Sequence, residues 1–175
     1  MFQIEIANQQ DIVDVDEEFL LKVAQTLLTA EGVREAEISI ALLDDPEIWK
    51  INKEFLDHDY PADVLSFLLE EEELEEAPED APRGFGMSLN GEILIGAEEA
   101  VRGGTRYGWS THNEMTLYLV HGLLHLCGYD DQDDEERAIM REREKFHLAA
   151  HGIVPQYTER DLSPDPTLHP PGGSG

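Results

Sequence analysis

Two histidines four residues apart, His121 and His125, are the side chains of this chain best placed to do chemistry. On a helix that spacing puts both rings on one face, on successive turns, where they can grip a single transition-metal ion, zinc foremost. The spacing alone is a weak signal. The chain has seven histidines and supplies a second such pair, His147 and His151. Context separates the two. His121 and His125 lie inside MTLYLVHGLLHLC, a stretch apolar on most of its helical surface and therefore buried. A buried imidazole needs partners for its ring nitrogens. His147 and His151 end a highly charged helix, where a histidine complements the dipole with no metal at all. The plain alternative for the first pair is two core histidines satisfied by backbone carbonyls.

The residues just after the pair favour the metal. Gly128-Tyr129-Asp130-Asp131 ends the helix with a glycine that lets the chain turn back, so a side chain a few residues on can complete the coordination sphere. Asp130, Asp131 and Asp133 are all in range. Gly122, between the two histidines, costs about 1 kcal/mol against alanine in a helix interior, and its usual reason is close approach of another backbone or of substrate. It also stands where the H-E-x-x-H zincins carry their general base, so that peptidase chemistry is excluded.

The elements that must position these residues can be read from periodicity. Phe2, Ile4 and Ile6 alternate as a strand, and Phe19 to Leu28 repeat as an amphipathic helix with Gly32 as its stop. Ile38, Ile40 and Leu42 form a second strand. Asp45-Pro46 reads as the cap and first position of a helix carrying Ile48, Ile51 and Phe55. Val64 to Leu69 and Glu92 to Ile95 read as the third and fourth strands, separated by an acidic loop. A short helix near Glu98 to Arg102 ends at the breaker Gly103-Gly104. Thr111 and Glu114 have the spacing of a capping box that opens a helix to Cys127. A last amphipathic helix spans about Asp134 to Ala150. This is an α+β chain: one domain over 1–152, a mixed four-stranded sheet packed by about five helices, and a disordered Pro/Gly-rich tail over 153–175.

Composition sets the outer bounds. The length suits one domain, and a single cysteine, Cys127, makes no internal disulfide. The amino terminus lacks the basic and apolar regions of a leader, and Met115 to Cys127 falls short of the roughly 20 residues that span a bilayer. A cytoplasmic protein with no membrane partner is expected. The formal charge is −27, and residues 70–83 alone hold eight carboxylates against Arg83. Such a surface repels nucleic acid at long range and favours basic protein partners.

The stretch HGLLHLCGYDD resembles the signature H-G-x-L-H-L-x-G-Y-D-H of the YbeY family, bacterial endoribonucleases of rRNA maturation. Asn52, then Asp63-Val64-Leu65-Ser66-Phe67, resembles the family's N…D/N-V-L-S-F segment, and Gly91 to Ile95 its G-D-I-x-I strand. Three positions depart from the pattern. The family's third histidine is Asp131 here, its threonine before D-V-L-S-F is Ala62, and an arginine carried by many members is Leu56. The resemblance implies one zinc on His121, His125 and Asp131, a set that also fits other divalent transition metals such as non-haem iron. It implies single-strand RNA cleavage in ribosome maturation, on rRNA presented by a ribosomal subunit or protein partner, with DNA not expected as substrate. Beside His121, the catalytic candidates are Glu114, two turns before it on the same face, Asp63, and Ser66. Lys53, Arg102 and Arg106 are the candidate cations. Two other readings stand beside this one: a metal hydrolase with a non-nucleic substrate, and a ribosome-assembly binding factor with a structural metal. A fourth protein ligand would mark the metal as structural.

Overall fold

The computed structural model describes residues 1–58 and 62–155. Tyr60 and Pro61, and the tail from 156 onward, lie outside the described residues. The alternating segments form β1 (Phe2–Gln9), β2 (Glu35–Leu43), β3 (Val64–Glu73) and β4 (Met87–Gly96). The helices are α1 (Glu17–Ala30), α2 (Asp45–Leu56), α3 (Ala97–Tyr107), α4 (Thr111–Leu126) and α5 (Asp134–Ala149). The expected single α+β domain, with four strands and five helices, is what the described residues form. The sheet order is β1-β2-β4-β3; β1, β2 and β4 run parallel and β3 is antiparallel to β4.

Register across the sheet shows how the site face is built. Ile6 pairs with Ile40, Ile40 with Ile93, and Ile93 with Ser66. Three aliphatic side chains therefore end in a serine at the strand next to the histidines. On this face lies the main core, and α4 is its centre: every residue from Glu114 to Leu126 is buried. Helix α2 covers part of the other face, where Ile48 packs with Leu43, Leu65 and Phe67.

Four local expectations are corrected. The cap of α2 is Asp44, whose side chain accepts from Glu47 N at 3.0 Å, one residue before Asp45. Helix α4 is capped by Ser110, which accepts from Asn113 N at 3.0 Å; the Thr111–Glu114 capping box is not formed. Glu70 to Glu73 belong to β3 rather than to a loop, because they pair with Asn90 to Met87 in the hairpin to β4. Gly103-Gly104 does not break α3. A β-carbon on Gly103 would lie 2.8 Å from the Tyr118 hydroxyl, so the pair is there for α3 to lie close against α4.

The turn after α4 does form as its sequence indicates. Gly128 has φ +102°, and the amides of Gly128 and Tyr129 bond back to the carbonyls of His125 and Leu124 at 3.1 and 3.0 Å. This is a Schellman-type end, which closes the helix and reverses the chain. A β-carbon on Gly128 would meet nothing nearer than Arg83 Cβ at 3.8 Å, so only backbone strain opposes substitution. Gly128→Ala is expected to cost about 1–2 kcal/mol, the penalty for a side chain in the left-handed region. Denaturant unfolding of the two proteins measures it directly.

Candidate metal centre

His121, His125 and Asp131 come together in one buried group, each offering a ligand atom, with all three atoms within 4.8 Å of one another. They are 1%, 3% and 5% exposed. The His121 and His125 Nε2 atoms are 3.0 Å apart, and Asp131 Oδ2 lies 3.9 Å from His121 Nε2. Helix α4 supplies both imidazoles and the Gly128 turn brings the carboxylate back to them.

The outer nitrogens decide what the inner ones carry. His121 Nδ1 is 2.7 Å from Glu144 Oε2, and Arg141 Nη1 donates to both oxygens of that carboxylate, at 2.9 and 3.0 Å, which keeps it an acceptor. His125 Nδ1 is 3.1 Å from the Tyr129 carbonyl oxygen. Both partners only accept, so both Nδ1 atoms hold the proton and donate. With both rings neutral, each Nε2 is left with a lone pair, and the two lone pairs face each other across 3.0 Å. A cation between them resolves that opposition. Two nitrogens on one tetrahedral zinc sit roughly 3.3 Å apart, from Zn–N distances near 2.0–2.1 Å. Asp131 supplies the matching anion, and its Oδ1 is buried without a hydrogen-bond partner among the described residues. The donor set fits a transition metal.

The neighbouring aspartates have other work. Asp130 Oδ1 accepts from Gln132 N at 3.2 Å, and Asp133 caps α5 by accepting from Glu136 N at 2.8 Å. That leaves Asp131 as the carboxylate turned inward.

The remaining sequence candidates have partners elsewhere. Glu114 is fully buried, and its Oε1 accepts from the Trp109 indole at 2.7 Å. Asp63 is half-buried and accepts from Val64 N at 2.6 Å. Ser66 is buried and donates to the Gly122 carbonyl at 3.2 Å. Gly122 is explained by the same contact. A β-carbon there would lie 3.1 Å from Ile93 Cγ2 and Ser66 Oγ and 3.2 Å from Val64 Cγ2, so glycine serves the seating of α4 on β3 and β4. Neither Glu114 nor Asp63 is part of the ligand group.

Of the cation candidates, Arg102 is committed to Asp45 and Glu99, while Lys53 lies over the Trp49 ring at 4.9 Å and Arg106 beside Tyr107 at 6.0 Å. The guanidiniums that act electrostatically on the ligands come instead from α5. The positive charge of Arg141 acts on His125 and Asp131, and Arg137 donates to the Asp131 carbonyl at 3.3 Å. Sequence reading missed them, along with Glu144. Their one available signal was the register of α5, in which Arg137, Arg141 and Glu144 follow one another at helical spacing. The other histidine pair forms no metal group among the described residues: His147 Nε2 bonds to Glu31 at 2.6 Å, and His151 lies against Phe19.

Burial and the neighbouring His121 hold the His125 imidazole down to about 3, from an ordinary value near 6.5. The unfolded chain therefore binds the extra proton between those two values, and stability is lost as pH falls below 6.5. For Asp131 burial raises the carboxyl, which works the opposite way and returns some stability as pH falls. In the presence of a chelator, the fall from pH 7 to pH 5 is expected to cost wild type about 2 kcal/mol more than His125→Asn, from the linkage relation. Urea unfolding at the two pH values checks it; equal losses would remove His125 as the titrating group.

The family description "Endoribonuclease YbeY" matches residues 5–152 of the chain. A relative of that name from Carboxydothermus hydrogenoformans is 39% identical over 152 residues, covering 85% of this chain and 97% of its own. One from Moorella thermoacetica is 42% identical over 152 residues, covering 85% and 96%. The solution structure of a Thermotoga maritima protein superposes with a TM-score of 0.55 at 23% identity, covering 85% of this chain and 87% of that one, and shares the fold. With the buried histidine pair, its returning carboxylate and a match over most of its length, the chain belongs to the YbeY endoribonuclease family.

Proposed function

We propose that this protein is a zinc-dependent, single-strand-specific endoribonuclease that works in rRNA processing. The observation that carries the metal part is the two imidazole Nε2 atoms 3.0 Å apart beside the buried, unpartnered Asp131 oxygen. The RNA part rests on the relatives, which are named endoribonucleases. His121, His125 and Asp131 would hold the ion. Bound there, zinc supplies Lewis-acid polarisation of a phosphoryl oxygen and acidification of water. Glu144 and the Tyr129 carbonyl each hold a proton on an outer ring nitrogen, which fixes tautomer and ring orientation. Burial of all three ligands excludes bulk water and strengthens their field.

Among the described residues the ligand group has three members, the number hydrolytic sites use, whereas structural zinc sites take four protein ligands. This favours the enzyme over a binding factor with a structural metal.

The charge of −27 shapes how RNA is met. Arginines 34, 83, 102, 141 and 143 are each paired with a carboxylate. Their charge is balanced locally, so the acidic excess sets the field that a strand meets at long range. Recognition is therefore expected to come from a ribosomal or protein partner, and the salt dependence of isolated cleavage should be shallow, since each neutralised single-strand phosphate adds about −0.7 to the slope.

Metal-loaded protein should cleave single-stranded RNA, alone or with ribosomal subunits, and His121→Ala should not. Cleavage that survives in His121→Ala would end the case for this site. Asp131→Ala should bind zinc about 10–100-fold more weakly or worse, by analogy with lost outer partners of metal ligands, and Asp131→His should restore binding. Chelator competition reads both; unchanged affinity in Asp131→Ala would dismiss Asp131 as the third ligand.

A further inference from the structure

The residue that most needs a reason is Glu31, which comes directly after the last turn of α1 and is 0% exposed. Its carboxylate accepts from the Tyr129 hydroxyl at 2.8 Å, from Arg143 through Nε at 3.0 Å and through Nη2, and from His147 Nε2 at 2.6 Å. Burial alone would push its carboxyl up, but the His147, Arg143 and Tyr129 hydrogen bonds outweigh that and hold it below the usual range. Arg143 and His147 both stand on α5, so they account for a staple between α1 and α5. Tyr129 does not belong to that staple. It sits in the turn after α4, 98 residues from Glu31 in the chain, and its own carbonyl accepts from His125 Nδ1 at 3.1 Å.

That turn has reason to be pinned. It begins at Gly128, whose backbone is the least restrained kind, and it delivers both the Tyr129 carbonyl and Asp131. Arg83 holds it from another side: its Nη1 donates to the Gly128 carbonyl at 3.3 Å and its guanidinium lies 5.0 Å from the centre of the Tyr129 ring. Glu31 holds the far end of the same ring. Outer partners that orient a metal-bound imidazole commonly set its affinity.

We infer that Glu31 is a positioning residue for the metal centre: by binding the Tyr129 hydroxyl it fixes the turn whose carbonyl orients His125. This rests on the reading of His121, His125 and Asp131 as metal ligands, and it gives His147 a role, since it helps to seat Glu31.

Tyr129→Phe tests it with the loss of one hydroxyl. Zinc affinity, measured by competition with a chromophoric chelator, should fall about tenfold, the lower end for outer partners of metal ligands. The visible spectrum of the cobalt(II)-loaded protein should change with it. Val23→Ala, in the buried face of α1, should lower the melting temperature at least as far and leave both metal readouts unchanged. Glu31→Gln should weaken zinc binding too, and the double variant should bind no more weakly than Tyr129→Phe, because the two residues act in series. If Glu31→Gln does not fold, Tyr129→Phe against Val23→Ala decides. Wild-type affinity in Tyr129→Phe, an equal loss in Val23→Ala, or additive losses in the double variant would each overturn the inference and leave the metal centre standing. A wild-type protein that binds no zinc would overturn both.

Discussion

A buried imidazole that offers one nitrogen to a metal almost always donates the N–H of its other nitrogen to a hydrogen-bond acceptor. Two such rings lie on one helix here, so the fold has to bring an acceptor to each of them without exposing α4. One is a carboxylate from α5, Glu144, and the other is a main-chain carbonyl from the turn that α4 itself leads into. The position of α5 and the path of the chain between Gly128 and Asp131 answer to that requirement. The Asp131 carboxylate arrives as part of the same turn, so one stretch of chain sets both the orientation of His125 and the third member of the group.

The sheet yields to the helix in return. Ser66 replaces an aliphatic side chain in the inward row of Ile6, Ile40 and Ile93, and its hydroxyl reaches the Gly122 carbonyl. Glycine at 122 lets the helix come down until Ile93 and Val64 are in contact range of its backbone. A helix buried from Glu114 to its end gives those side chains little room to move, which suits groups that must hold a fixed geometry.

Much of this could be read from the sequence. The histidine pair stood out because the helix around it is apolar on most of its surface, and the turn because glycine comes just past that apolar run. The strands were legible as alternating or apolar runs, apart from the extension of β3 through four glutamates and the first half of β4, Met87 to Gly91. No periodic pattern marks the glutamates as strand; their pairing with β4 does. Helix starts were missed by one residue where two polar side chains compete for the cap, as Asp44 does with Asp45 and Ser110 with Thr111. Glu144 and Glu31 were out of reach for a different reason. Each is one acidic residue among 39, and only the packing of α5 and α1 against α4 distinguishes them from solvated charge. Asp131 was separated from Asp130 and Asp133 by family resemblance; in the structure the separation is physical, since its neighbours are used up by backbone amides.

Because the sheet order ends in β3, that strand presents an open margin along the domain. Its outer half, Glu70 to Glu73, is exposed on both faces and carries a carboxylate at every position. A second chain adding a strand there would have to bring its backbone against four like charges, and two copies of this protein would bring eight. Electrostatic repulsion along that margin therefore guards against sheet-to-sheet polymerisation, the characteristic hazard of an uncovered strand. Part of the acidity that makes the molecule a poor magnet for nucleic acid also keeps it apart from its own copies.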